Sequence, residues 1–367
     1  MLDRTKLYLN HASIYPLQTH VKQAIASFMD EWQVVDFVYY QRLMRLSQSI
    51  RESISTLINC KPNLIALTPN TASSISVLMN GLAWKAGDEI ILMENDFPSV
   101  TLASVPLKEK GVVLRTLNEV AFLKDPVGQL DAILNEKTRL VCISLVGFTS
   151  GFPIPVEDIA QACKQNNTLL AVDGTQAIGA INFDFVQSKV DFLAVSTYKW
   201  LMCPLGTSFF VCSDALFQKI KPSMIGWLSV QNPQEMKTQE LNFAESARRF
   251  ESGGKPILSL VGTKASLDFI VSKGIETFVK PTQERVVQLY KGLTELGYLC
   301  MYDGKLTGFS GIVSIDACDF GDQLKAYLDQ HHIMTTHRLG KIRFSPGYYQ
   351  TEADINYLFD CLKQFKS

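Results

Sequence analysis

Between Leu64 and Cys212 one pattern repeats: a short apolar run, a polar stretch, a helical periodicity, then the next apolar run. The runs Leu64–Leu67, Glu89–Met93, Val112–Leu117, Leu140–Leu145, Leu169–Asp173, Phe192–Ser196 and Ser208–Cys212 predict strands. Thr71–Ala83 and Val156–Gln165 predict helices between them. The runs are apolar throughout instead of alternating, which is what strands buried on both faces require. Strands interleaved with helices predict an α/β fold with a mostly parallel central sheet flanked by helices.

After about Arg248 the texture changes. Leu258–Lys273, Pro281–Leu296 and Glu352–Phe365 carry helical patterns, and Gly311–Ile315 and Lys341–Ser345 read as strands. This predicts a large domain over 15–250 and a smaller α+β C-terminal domain over 251–367, with the segment 1–14 packed near the functional site. No linker composition marks the boundary between them.

Composition narrows the function. Lys and Arg total 35 against 36 Asp and Glu, so no basic excess draws the chain to nucleic acid. No apolar run approaches the roughly 18 residues of a membrane span. The opening Met1-Leu2-Asp3-Arg4-Thr5-Lys6 lacks the apolar stretch of a secretory signal, which predicts a cytoplasmic address. The eight cysteines show no Cys-x-x-Cys spacing, which predicts neither a metal site nor a disulfide framework. Cys142 and Cys212 lie inside apolar runs and read as core; Cys203, close after Lys199, is also read as packing.

The chemistry starts from Asp173 and Lys199, each at or just beyond the end of its own strand-like run. A carboxylate and a lysine at neighbouring strand ends suit pyridoxal phosphate. That cofactor needs an amine for a Schiff base and an acid to pair with its pyridinium nitrogen. Thr68-Pro69-Asn70-Thr71-Ala72-Ser73 follows a strand and opens a helix, where free N–H groups and the helix dipole attract a phosphate. An ordinary N-cap by Asn70 or Thr71 gives the same sequence. Ser196 and Tyr198 flank the lysine and can donate to the phosphate. Phe97 can cover the ring or anchor the core, and Gln176 can bond the ring hydroxyl or sit as a satisfied loop amide. Arg343, in an otherwise apolar segment, offers a two-pronged contact for an α-carboxylate.

These residues resemble the class V aminotransferase superfamily, the fold-type I pyridoxal phosphate enzymes that include cysteine desulfurases, selenocysteine lyases, kynureninases and isopenicillin N epimerase-like proteins. The resemblance runs from Tyr8-Leu9-Asn10-His11-Ala12 through Asp173-Gly174-Thr175-Gln176 and Tyr198-Lys199-Trp200-Leu201. It continues with Arg248-Arg249-Phe250-Glu251-Ser252-Gly253 and closes on Arg343-Phe344-Ser345-Pro346 and Tyr349. It implies that Lys199 carries the Schiff base, Asp173 pairs with the ring nitrogen and Gln176 touches the ring oxygen. It further implies that Thr71, Ala72, Ser196 and Tyr198 hold the phosphate, and that Arg343, with Asn10, binds an amino-acid substrate. Relatives are commonly homodimers in which the segment at Gly253 and Gly254 reaches the neighbouring subunit's phosphate.

The departures matter as much. Desulfurases carry a nucleophilic Cys in a mobile loop before the carboxylate-binding Arg. Here His331-His332-Ile333-Met334-Thr335-Thr336-His337-Arg338-Leu339-Gly340 is short and has none. Cys318 and Cys361 fall elsewhere in the pattern. Phe97 stands where desulfurases place a His, and Gly254 where a Thr is frequent. His337 and Arg338 occupy the shortened loop and are expected to set specificity, a solvated loop being the bland alternative. The leading expectation is a Cβ-lyase of the cysteine desulfurase or selenocysteine lyase type without the nucleophilic Cys. The alternatives are an isopenicillin N epimerase-like epimerase, a class V aminotransferase, or a catalytically silent cofactor-binding protein.

Overall fold

The computed structural model describes residues 6–31, 37–237 and 239–366. Its strands are β1 (Leu7–Tyr8), β2 (Ile65–Thr68), β3 (Glu89–Met93), β4 (Val113–Leu117), β5 (Thr138–Ser144) and β6 (Leu169–Asp173). They continue with β7 (Phe192–Ser196), β8 (Ser208–Cys212), β9 (Val313–Asp316), β10 (Ile333–Met334), β11 (Thr336–Arg338) and β12 (Lys341–Phe344). A central seven-stranded sheet has the order β2-β8-β7-β6-β5-β3-β4. From β7 through β4 every pairing is parallel, and β8 runs antiparallel to both of its neighbours. The α/β reading of the sequence holds: β2, β7 and β8 are buried along their whole length.

One strand departs from it. β4 is one of the two edge strands and, unlike the other edge β2, is not covered on both faces, with Val113 46% exposed. Its solvent-facing positions accommodate Arg115 and Thr116, which interrupt the apolar run. Arg115 turns this to use by donating to Glu89 on β3 and to the Ile133 carbonyl.

The helix expected from Pro281 begins earlier, at Glu276, and runs to Glu295 with Pro281 inside it. Proline favours a first turn because its missing N–H is unneeded there. Here the lost hydrogen bond is offset by burial of Phe278 and Val279 on the preceding turn. Helices Thr19–Glu31 and Phe37–Ile58 pack on Ile257–Lys273, while Gly321–Gln330 and Glu352–Lys366 accompany the C-terminal strands.

The buried apolar residues form two clusters. The larger one surrounds the central sheet and takes in Leu260, Leu267 and Ile270 of the helix Ile257–Lys273. The smaller one gathers Leu289, Leu293, Ile315, Ile342, Phe344, Ile355 and Leu358 around the antiparallel sheet β11-β12-β9. Leu9 joins this second cluster, because β1 pairs in parallel with β10 and Asn10 bridges to Ser345. No helix among the described residues is long and apolar enough to cross a membrane.

Candidate active site

Asp173 is the last residue of β6 and Ser196 the last of β7, so the pairing of these strands brings their carboxyl ends together. The carboxyl ends of parallel strands are where open α/β sheets hold ligands. Lys199 follows β7 in a tight turn that Met202 N–H closes onto the Lys199 carbonyl (2.8 Å), with Met202 at φ 56°. Gly174 is needed behind Asp173, since a Cβ there would lie 2.6 Å from Leu193 Cδ1. A cavity of about 190 Å³ opens at this edge, lined by Thr71, Phe97, Asp173, Gln176, Ser196, Tyr198 and Lys199 among others. A larger groove of about 880 Å³, lined by Pro153, Phe183 and Phe309, includes none of these residues.

Two charged groups stand at the cavity. Asp173 Oδ1 accepts from Thr175 N–H (2.8 Å), and the Thr175 side chain also interacts with the carboxylate. The Lys199 amine makes no hydrogen bond among the described residues; its Nζ sits 5.7 Å from the Phe97 ring centre. Burial dominates both groups. It pushes the Asp173 carboxyl up and the Lys199 amine down to about 7, with Arg343 lowering the amine further and Asp173 opposing. A buried acid and a buried amine near neutrality fit a protonated ring nitrogen and an aldehyde.

A phosphate also fits. The helix Thr71–Gly81 is capped by Asn70, whose side chain accepts from Ser73 N–H (2.8 Å). Thr71 Oγ1 lies 2.6 Å from Ser196 Oγ and 3.0 Å from Thr175 Oγ1. The Ala72 N–H at this helix start has no partner among the described residues. Hydroxyls and a free N–H at a helix N-terminus make an anion site.

Phe97 stands beside Lys199 and meets Phe148 edge-on, ring centres 5.5 Å apart at 83°. Its backbone is held by Asp96, which accepts from Phe97 N–H (2.7 Å) and from Ser144 N–H and Oγ. Burial, with Asp173 nearby, lifts the Asp96 carboxyl to about 6 against the pull of those hydrogen bonds. Gln176 lines the cavity with its amide already engaged, Nε2 donating to the Ala12 carbonyl and Oε1 accepting from Trp200 Nε1.

Arg343 is buried on β12 and donates to the Phe148 carbonyl (2.8 Å) and to Ser13 Oγ (2.7 Å). Its Nε has no partner among the described residues. Burial and the Arg338 charge bring its guanidinium down to about 10. Asn10 supports the assembly through Oδ1, which accepts from Ser13 Oγ and Thr336 Oγ1. His337 lies elsewhere: its Nδ1 pairs with Asp322 and its ring packs on Gly321. Gly253 sits near Trp227 and Gly254 in open space, neither lining the cavity. Sequence reasoning passed over Ser13, Thr336 and Phe148. Ser13 is legible as the next hydroxyl after the Tyr8–Ala12 motif; nothing marks Phe148.

With this geometry, the similarities to known proteins agree. The chain is 26% identical to a probable cysteine desulfurase of Methanothermobacter thermautotrophicus, over 99% of this chain and 95% of that protein. It is 26% identical to isopenicillin N epimerase of Streptomyces clavuligerus, over 75% of this chain and 71% of that one. The fold superposes on a complex between the cystine C-S lyase C-DES and its reaction product cysteine persulfide. There the TM-score is 0.90, with 25% identity and 97% of each chain covered. Apo cysteine desulfurase from Thermococcus onnurineus shares the fold, with a TM-score of 0.86 at 19% identity over 99% of this chain and 95% of that one. The aminotransferase class-V family profile matches residues 36–358. The chain therefore belongs to the class-V aminotransferase family and is a pyridoxal phosphate-dependent enzyme.

Proposed function

We propose that the enzyme is a Cβ–S lyase that splits an amino acid bearing a sulfur substituent at Cβ, such as L-cystine, without an enzyme nucleophile. The observation that carries this reading is the hairpin of β11 and β12. Its two-residue turn, Leu339-Gly340, leaves no room for a long loop, and the segment 331–340 has no Cys. The cysteines elsewhere are poor substitutes. Burial pushes the Cys203 and Cys212 thiols up to about 12, and Asp316 raises the Cys318 thiol at the hairpin tip. A disulfide substrate needs no acceptor thiol, because both of its sulfurs leave together as a persulfide anion, with the charge on the sulfur that was bonded to Cβ. The likeness to a cystine C-S lyase supports the same choice.

In this reading Thr71, Ala72, Ser196 and Tyr198 hold the cofactor phosphate, Asp173 its ring nitrogen, Gln176 the neighbourhood of its ring oxygen, and Lys199 its aldehyde carbon. When bound, pyridoxal phosphate supplies the sink for the electron pair released at Cα. Arg343 takes the α-carboxylate, displacing its bond to the Phe148 carbonyl, while Asn10, Ser13 and Thr336 hold the guanidinium in place. Lys199, near neutrality, accepts the Cα proton. The Cβ–S bond then breaks with its electrons on sulfur, and water completes release of pyruvate and ammonia. Phe97 and Phe148 keep water from one face of the site.

The same proposal takes the protein as a cytoplasmic homodimer, divided into units at about residue 250. Exposed Met224 (66%), Ile225 (50%) and Trp227 (44%), near the segment of Gly253 and Gly254, support a subunit contact there. Holoenzyme given L-cystine should release pyruvate and a cyanide-reactive persulfide in equal amounts. Racemisation of amino acids without pyruvate would sink the lyase reading. Borohydride reduction followed by peptide mass spectrometry should place the phosphopyridoxyl group on Lys199.

A further inference from the structure

His337 and Arg338 are neighbours in sequence and opposites in space. Along a strand successive side chains point to opposite faces, and residues directly paired across an antiparallel ladder share a face. β11 pairs Thr336 with Arg343 and Arg338 with Lys341, so Thr336, Arg338, Lys341 and Arg343 lie on one face and His337 on the other. The Thr336 side is the active-site side, because its hydroxyl joins Asn10 and Ser13 beneath Arg343. The other side faces Asp322 and the helix Gly321–Gln330, which takes up His337.

The register is firmly set. Leu339 and Gly340 have φ of 51° and 68°, the left-handed pair of a tight two-residue hairpin turn. A bulky Leu in this region is strained, and the hairpin keeps it there. A slip by one residue would exchange Arg338 for His337 on the active-site face.

The charges on that face are unevenly met. Arg343 has Ser13 and the Phe148 carbonyl, and Lys341 has the Glu119 carboxylate in its field. The Arg338 side chain has no hydrogen bond or ion pair among the described residues. It is also exposed, so a ligand can reach it. It is diagonal to Arg343 across the ladder, about 7–8 Å between Cα atoms for such pairs. Its charge acts on both Arg343 and Lys199. Two arginines thus face one site, and an α-carboxylate occupies only one of them.

We infer that Arg338 binds an anionic group carried by the substrate's β-substituent, so that the substrate class is amino acids with a second carboxylate beyond Cβ. This rests on the lyase reading for the fate of the substrate but not for the binding itself. L-Cystine belongs to the class, the carboxylate of its outer half reaching Arg338 while its inner carboxylate rests on Arg343. A mixed disulfide of cysteine with a neutral thiol does not belong to it.

The test uses holoenzyme and two ligands of similar length with no sulfur to eliminate, L-2-aminoadipate and L-norleucine, titrated by calorimetry. The wild type should prefer aminoadipate by roughly ten- to hundred-fold, the range of a hydrogen bond between two charged groups. Arg338→Gln should reduce that ratio to near one while leaving norleucine affinity within twofold. His337→Gln should leave the ratio unchanged. An equal ratio in wild type and Arg338→Gln, or no preference in wild type, overturns the inference. Loss of the preference in Arg338→Gln, with no pyruvate from cystine in wild type, upholds the inference and rejects the lyase reading instead.

Discussion

Replacing Lys199 by Met should stabilise the cofactor-free protein, and by an amount that depends on pH. Met matches the length of the lysine stem and carries no charge. In the folded chain burial brings the amine to about 7, against 10.5 for an exposed lysine. Below pH 7 both states are protonated, and the folded state bears the full penalty of the buried charge. Between 7 and 10.5 the folded amine is neutral while the unfolded one keeps its proton. The unfolded state then holds more protons, and wild-type stability rises with pH. At about 1.36 kcal/mol for each tenfold change in proton affinity, the penalty is roughly 5 kcal/mol at pH 6 and roughly 3 kcal/mol at pH 8.5. Urea denaturation of both proteins, stripped of cofactor and followed by circular dichroism, should therefore show the Met variant gaining most at pH 6. A gain identical at pH 6, 8.5 and 10 would refute the reasoning. It would mean that the amine escapes to solvent and that Met acts only by packing.

Other outcomes follow from the same contacts. Ser13→Ala removes one prop of the Arg343 guanidinium and should raise KM about threefold to tenfold with kcat nearly unchanged, measured by initial rates. Thr71→Val disturbs the hydroxyl cluster with Ser196 and Thr175, and should weaken cofactor binding about tenfold in a fluorescence titration. Cys318→Ala should leave cystine turnover within about twofold, since a thiol raised by Asp316 is a weak nucleophile; loss of turnover would restore a persulfide-forming mechanism. Glu251→Gln should destabilise the fold by about 3–5 kcal/mol in chemical denaturation. It strands Arg51 and Lys255, both buried, and weakens the acceptor of Leu67 N–H.

The chain itself determined the sheet and the ingredients of the site. Short uniform apolar runs between helical patterns fit strands covered on both faces, and so seven of them located the central sheet in advance, with the partly exposed edge strand β4 as the exception. Asp173, Ser196 and Lys199 were legible because each sits where an apolar run stops, and chemistry at strand ends is a local property of sequence. Tertiary structure decided the rest, because those partners come from distant segments. Ser13 meets Arg343 across 330 positions, and Phe148 meets Phe97 through a loop with no periodicity to read. Adjacent His337 and Arg338 looked equivalent until pairing with β12 fixed which face each takes. Sequence supplies residue type and period, whereas the direction of a side chain in a short hairpin depends on register, which only the partner strand sets.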